Sequence, residues 1–370
     1  MKILNIVSSN IVQDPRILKQ METIKNVTNT HLMVGMNNNN VTEERLKNIN
    51  FNFKLLGDKQ DTTSILSKLS KRIKFAKGVI RQIKRYKPDV IHANDFDVLL
   101  MVYFSGYKNA KIVFDAHEIY AKNAFINKYR VISKIVELIE KHIINKRVNA
   151  FVTVSHAAKS YYLKKGYKKT PHVITNAPFL DESLTLTKSS EINEVVYQGQ
   201  IVANRGYEEF VKAATIQHEQ PVNYVIRGFG PQEDEIRKLI KVENANVKLA
   251  KPVEVKELVQ KLSESDIGVV LTKPVSINFK YTVSNKIFEC IHAGLPVILS
   301  PVKEHYYLNE KYEFGIVIDK VTPQNIAEAV QTLLNNKILY NKLRCNAIKA
   351  SNELNWQNES EKLKRIYLSN

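Results

Sequence analysis

Residues 284–299 read Ser284-Asn-Lys286-Ile-Phe-Glu289-Cys-Ile-His292-Ala-Gly294-Leu-Pro296-Val-Ile-Leu299. Ser284, Asn285 and Lys286 open a helix, Gly294-Leu-Pro296 ends it, and the apolar run to Leu299 is a strand. A helix delivering the chain straight into a buried strand is the repeating unit of a parallel sheet covered by helices. The start of this helix also carries chemistry. Its first backbone N–H groups have no partner within the helix, and the positive end of the dipole favours an anion such as a diphosphate. Lys286 adds a full charge. Glu289, one turn on, can accept from hydroxyl groups of the same ligand. Taken singly, Lys286 reads as a surface lysine and Glu289 as a solvated helix residue. The ordered block followed by Ala-Gly-Leu-Pro is what points to a ligand.

The same alternation runs outward in both directions. Upstream lie a strand at 195–197, a helix at 207–216, a strand at 223–226, a helix at 233–240 and a strand at 267–271; helices follow at 323–335 and 337–351. The first half repeats the pattern. A strand at 2–7 precedes a helix at 15–25, with Asp14 as N-cap and Pro15 in the first turn. Strands at 31–34, 89–92, 111–114, 150–154 and 172–176 follow, with helices at 64–87 and 131–146, and the amide run 37–40 as a loop. The polar stretch Asp181–Glu194 breaks the pattern. The expected organisation is therefore an α/β chain of two Rossmann-like domains. The first spans 1–178, a linker 179–194 and the second 195–370, with the last helix free to pack back on the first domain. Ligands in such sheets bind beyond the carboxyl ends of the strands, so both domains offer loops to one cleft.

Residues 284–299 closely resemble the donor-binding motif of retaining glycosyltransferases with two Rossmann-like domains, the GT-B fold of the group 1 and family 4 type. The resemblance extends over nearly the whole chain. It implies a nucleotide-diphosphate sugar as donor, bound by Ser284, Asn285, Lys286 and Glu289. Tyr197-Gln-Gly-Gln200 and Asn204-Arg205-Gly206 are similar to the family's phosphate-reaching loop. Arg205 matches its second basic residue, and Gln200 stands where a first is common. Arg227-Gly228-Phe-Gly230-Pro231 matches a loop beside the base and ribose; as an incomplete glycine motif it reads equally as a plain turn. In the first domain, Asp115-Ala-His117-Glu118 places His117 where the family's histidine touches the transferred sugar, which makes it the catalytic candidate. Asp14, Arg16, Asp95 and Glu118 fall in segments at the acceptor side. One position departs: Tyr281 stands where many members carry a second glutamate.

Asp95-Phe96-Asp97 spells the metal-binding DxD of other glycosyltransferases. It lies away from the donor block, and an extended chain would point the two carboxylates apart. No metal and no cofactor are therefore expected. Cys290 and Cys345 have no CxxC spacing, which argues against zinc and suits a reducing compartment.

The net charge of +18 is unevenly placed. Residues 1–175 hold 31 Lys and Arg against 13 Asp and Glu, whereas residues 176–370 hold 24 of each. A single-sign field on one half implies an anionic partner there. Its densest part is helix 64–87, with nine Lys or Arg and no acid. Its apolar residues Ile65, Leu66, Leu69, Ile73, Ala76, Ile80 and Ile83 are expected to pack on the sheet. The basic side is then expected to hold an anionic membrane surface electrostatically, without insertion; a merely solvated face is the alternative. No nucleic-acid motif is present. No apolar run is long enough to cross a bilayer, so the expected place is the cytoplasm, peripheral on the inner membrane face. The acceptor is expected to be a glycan or a lipid-linked sugar in cell-surface polysaccharide synthesis. A nucleotide-sugar epimerase and a non-catalytic partner subunit are the rival readings.

Overall fold

The computed structural model describes residues 1–369 except 10, 13, 39–40, 58–63, 124–125, 185, 187–191, 217–218 and 282, with Ile65 by its backbone alone. Part of the amide run and of the expected linker lies outside the described residues. The chain divides into two units, Met1–Asn176 with Glu359–Asn370, and Ala177–Asn358.

In chain order the first unit contains β1 (Ile3–Ile6), α1 (Pro15–Lys25), β2 (His31–Met36), α2 (Glu43–Lys47), β3 (Phe53–Leu56), α3 (Ile65–Tyr86) and β4 (Val90–Asn94). There follow α4 (Asp95–Phe104), β5 (Lys111–Ala116), α5 (Arg130–Arg147), β6 (Ala150–Thr153), α6 (His156–Lys164) and β7 (His172–Val173). The strands form one sheet in the order β3-β2-β1-β4-β5-β6-β7, and every pairing is parallel. Strands β1, β4 and β6 are buried along their whole length, as helices on both faces require.

The second unit contains β8 (Glu194–Gln198), α7 (Tyr207–Ala213), β9 (Asn223–Arg227), α8 (Glu233–Val242), β10 (Val247–Ala250), α9 (Leu258–Ser263), β11 (Ile267–Val270) and α10 (Ile277–Tyr281). After these come α11 (Asn285–His292), β12 (Val297–Leu299), α12 (Lys303–Tyr312), β13 (Gly315–Val317), α13 (Pro323–Asn335), α14 (Lys337–Glu353) and α15 (Trp356–Leu368), the last counted with the first unit from Glu359 onward. Its sheet runs β10-β9-β8-β11-β12-β13, again parallel. Apolar residues pack on both faces: Tyr197, Phe210 and Val330 in one cluster, Ile287, Phe288 and Leu299 in the other.

Each sheet reverses its strand order once, between β1 and β4 and between β8 and β11. Loops leaving the carboxyl ends of those neighbours diverge to opposite faces and leave a crevice. The reversal therefore fixes where a ligand can sit in each unit.

Two sequence expectations change here. Asp95 and Asp97 lie in the first turn of α4, not in extended chain. Of the apolar stripe expected on α3 to pack on the sheet, Ile83 is buried, Ala76 and Ile80 are half-buried, and Leu66, Leu69 and Ile73 are exposed; Phe75 and Val79, outside that stripe, are buried with Ile83. Among the described residues no helix is long and apolar enough to cross a membrane.

Candidate functional site

In the second unit the loops after β8 and β11 meet at the reversal. Arg205 leaves the first loop and donates from Nη1 to Thr272 Oγ1 in the second, at 2.6 Å. Its guanidinium also lies over the Phe279 ring, 4.9 Å from the centroid. Thr272 is held in turn, its N–H donating to Ser300 Oγ at 2.9 Å. Beside Ser300, burial keeps His305 neutral by lowering its pKa to about 4. Arg205 is thus fixed before any ligand arrives, and a preorganised donor gives more to a transition state than a mobile one.

Lys286, in the first turn of α11, reaches the same place. Its Nζ donates to Tyr207 Oη at 3.2 Å. It also lies 5.1 Å and 5.4 Å from the ring centroids of Tyr197 and Tyr207, which stack on each other at 4.1 Å. The stem of Lys286 crosses Gly199 so closely that a Cβ there would fall 2.0 Å from Lys286 Cε. Gly199 also has φ of 125°, outside the range of ordinary side chains. Burial, and then the nearby charge of Arg205, push the Lys286 pKa down to about 8. Among the described residues neither cation makes an ion pair. Ser284 caps α11 without a side-chain hydrogen bond to the first turn; Ile287 N–H donates to Ser284 O, which leaves the N–H groups of Asn285 and Lys286 without a partner inside the helix. Two adjacent cations and a helix start with no paired carboxylate form a site for a polyanion.

The loops after β8 and β9 extend the sheet's pairing. Gly199 N–H donates to Arg227 O, and Ile201 N–H to Phe229 O. A Cβ on Gly228 would lie 1.9 Å from Gly199 O, and one on Gly230 2.3 Å from Ile201 O. This close approach of two backbones accounts for both glycines. Phe229 between them is more than half exposed. Tyr281, in place of the second glutamate, accepts from Lys303 Nζ at 2.8 Å.

In the first unit, Arg16, Asp95, Asp115 and His117 come together at the ends of β4 and β5. Arg16 is buried and pairs bidentately with Asp115, Nε to Oδ2 at 2.9 Å and Nη2 to Oδ1 at 2.8 Å. Its Nη1 donates to Ile174 O. Burial opposes ionisation of Asp115, but the Arg16 and His117 charges hold its pKa well below the usual range. His117 Nε2 lies 3.1 Å from Asn94 Oδ1, and Nδ1 3.5 Å from Asp95 Oδ2. Asn94 Nδ2 donates to Asn5 Oδ1 and Ile6 O, which turns the Asn94 oxygen towards the imidazole. Burial disfavours the imidazolium, yet Asp95 and Asp115 outweigh it and raise the His117 pKa to about 9. With 19% of its side chain exposed, His117 is a reachable cation with two N–H donors. It is suited to holding an oxygen rather than to taking a proton near neutral pH. Asp95, at φ of 64°, accepts the His117 N–H at 3.1 Å.

Asp14 serves as the N-cap of α1, accepting from the N–H groups of Arg16 and Ile17. The Glu118 carbonyl accepts from Tyr162. Sequence reasoning missed Thr272, Tyr207 and Gln20, whose Nε2 donates to Asp115 Oδ2 at 2.7 Å; each is a common residue whose role comes only from position. It also missed Tyr367, whose hydroxyl lies 2.6 Å from His92 Nδ1 behind Asp115.

A doubly wound unit with a dication at its strand reversal, in series with a second such unit holding a charged histidine, defines a class: glycosyltransferases of the GT-B fold. Residues 56–178 match the family model Glycosyltransferase Family 4, and residues 192–336 match Glycosyl transferases group 1. The two matches together take in most of the chain, and the protein belongs to these glycosyltransferases. No curated protein matches the sequence. Among solved structures the chain is similar to Anabaena HepE in complex with UDP, with TM-score 0.78, 13% identity and 99% of each chain covered. It is also similar to sucrose-phosphate synthase from Thermosynechococcus elongatus, with TM-score 0.76, 16% identity and 99% and 98% covered. The S. aureus MnaA–UDP complex has TM-score 0.66 and 14% identity, with 100% and 97% covered. At these identities the likeness establishes the fold.

Proposed function

We propose that the protein transfers a sugar from a nucleotide-diphosphate donor, held by the second unit, to a glycan or lipid-linked acceptor at the first. Transfer proceeds with retention of configuration and without a metal ion, in the building of a cell-surface glycan. The observation that carries the donor half is the Lys286–Arg205 pair at the start of α11, two cations without an ion-paired carboxylate among the described residues. The complexes of HepE and MnaA with UDP support a uridine nucleotide in a fold of this kind. The leaving diphosphate gathers charge in the transition state, and Lys286, Arg205 and the helix N–H groups neutralise it where a metal would otherwise act. Ser284 and Asn285 frame the phosphates, Glu289 takes the ribose hydroxyls, and the loop of Gly228 and Gly230, which the two glycines let pack on the loop after β8, lies beside the nucleoside. Protonated His117 positions the sugar and the acceptor, with Asp95, Arg16, Asp14 and Glu118 around it. Retention rests on the family resemblance. The basic face of α3 draws the first unit to an anionic membrane, where a lipid-linked acceptor would be met.

The test is transfer by the isolated chain from UDP-sugars to lipid-linked and soluble glycan acceptors, with and without EDTA. Transfer that survives chelation is the expected result. Loss of activity restored by Mg²⁺ or Mn²⁺ would return Asp95 and Asp97 to a metal-binding role. Release of free epimer with no acceptor would replace transfer by epimerisation.

A further inference from the structure

Helix α5 is built inside out. A helix on a water-exposed surface normally buries its apolar stripe and exposes its polar one. The first two-thirds of α5 do the reverse. Its buried side carries Ser133 and Glu140, 2% and 1% exposed. Both are engaged there: Ser133 Oγ donates to Ala121 O, and Glu140 Oε2 accepts from Tyr167 Oη at 2.7 Å. Glu137, on the same side, pairs with Lys122 and Lys165. The outward side carries Val131, Ile132, Ile135, Leu138 and Ile139, the first of them 71% exposed and Leu138 66%. Five aliphatic side chains at helical spacing form a continuous stripe rather than scattered exposure.

The stripe has a neighbour. Helix α4 packs against both α3 and α5, so the three cover one face of the sheet. The exposed Leu66, Leu69 and Ile73 belong to the first turns of α3. In a parallel sheet each covering helix starts at the edge where the strands end. Both apolar segments therefore lie towards the edge that carries Asp95 and His117. Exposed cations flank them: Lys68, Arg72 and Lys77 on α3, and Lys128, Arg130 and Lys134 at the start of α5.

We infer that the outer face of α5, together with the start of α3, seats the first unit shallowly in an anionic bilayer surface. The aliphatic side chains enter the boundary between headgroups and acyl chains, and the flanking cations stay at headgroup level. Anionic lipid suits the charge of the rim. A second copy of the chain does not, because two-fold pairing would bring the same cationic rim against itself. The inference deepens the acceptor side of the proposed function and rests on that reading for its purpose. It replaces purely electrostatic attachment by charge plus shallow insertion.

Co-sedimentation with phosphatidylcholine vesicles, with and without phosphatidylglycerol, tests it in the absence of substrate. The full chain is expected to bind the anionic vesicles and to keep part of that binding at about 0.5 M salt, where screening removes a purely ionic attachment. Ile135→Ser with Leu138→Ser is expected to weaken binding about tenfold or more. These side chains are exposed, so the variant should keep its melting temperature and the shift in it that UDP produces. Leu138→Trp should give a blue-shifted emission on anionic vesicles, readable because the natural Trp356 is buried. No binding at low salt, or binding abolished at high salt and unchanged in the double variant, would overturn the insertion. So would a dimer in light scattering that the double variant converts to monomer. The UDP-induced shift reports the donor site separately, so either reading can fail without the other.

Discussion

Lys286→Met lowers the transfer rate about 10²-fold or more and leaves the fold at least as stable as before. The rate falls because the ammonium is a charge-assisted donor aimed where the departing diphosphate gathers charge. Methionine keeps the stem that crosses Gly199 and lies beside the Tyr197–Tyr207 stack. Stability does not suffer, because the buried ammonium has no ion pair among the described residues and its pKa is pushed down to about 8. The same depression gives two pH trends of opposite sign. Between about 8 and its ordinary value of 10.5 the unfolded chain binds more protons at this group than the folded one. The unliganded protein therefore gains stability from it as pH rises through that window. Activity moves the other way: kcat/KM declines above about pH 8 as the free enzyme loses the charge. A bound diphosphate raises the lysine's pKa, so kcat declines at a higher pH. Steady-state kinetics of the variant and the parent check the rate and its pH trend, and urea denaturation of the unliganded proteins between about pH 8 and 10.5 checks the stability trend. A near-normal rate in Lys286→Met would remove the donor assignment.

Arg16→Ala destabilises the first unit by about 3–5 kcal/mol, the usual cost of breaking a buried pair and leaving one charge behind. Asp115, 1% exposed, would keep Gln20 and the two histidines as its neighbours among the described residues. Arg16→Lys should rescue little, because an ammonium cannot reproduce two parallel bonds to the carboxylate and a third to Ile174 O. Asp115 has a depressed pKa in the folded state. Its stabilisation is therefore complete above its ordinary value of 3.8 and is lost as pH falls through the folded value. Urea denaturation near neutral pH is the measurement. A loss under about 1 kcal/mol would mean that Arg16 is free to serve an acceptor rather than the fold.

The donor elements were legible because their signals are local. A capped helix running into Gly-Leu-Pro and a strand is written in sixteen consecutive residues, and Lys286 and Arg205 stand inside such blocks. Thr272 and Tyr207 were not legible as partners of those cations. What joins them is the strand reversal between β8 and β11, a fact of sheet order that local sequence does not state. Helix α4 escaped because Val98–Phe104 is apolar all round and shows no period to read. The α3 stripe was misassigned for a reason of length. Its 22 residues run about 33 Å, whereas the five-residue strand β4 that it leads to spans only about 17 Å. Its first turns have no sheet to cover, so Leu66, Leu69 and Ile73 keep the helical spacing of a core face without a core. The inversion of α5 was hidden for a related reason. Its apolar residues fit a buried stripe equally well, and only the positions of Tyr167 and Lys122 show that the polar side is the inner one.

Hydrogen exchange of the full chain with and without UDP addresses the donor site itself, free of any choice of sugar or acceptor. Slowed exchange should fall on the loop 199–206, on residues 228–230 and on the first turn of α11 around Lys286, all within the second unit. Protection confined to the first unit around His117, or no protection at saturating UDP, would contradict the placement of the nucleotide diphosphate on Lys286 and Arg205.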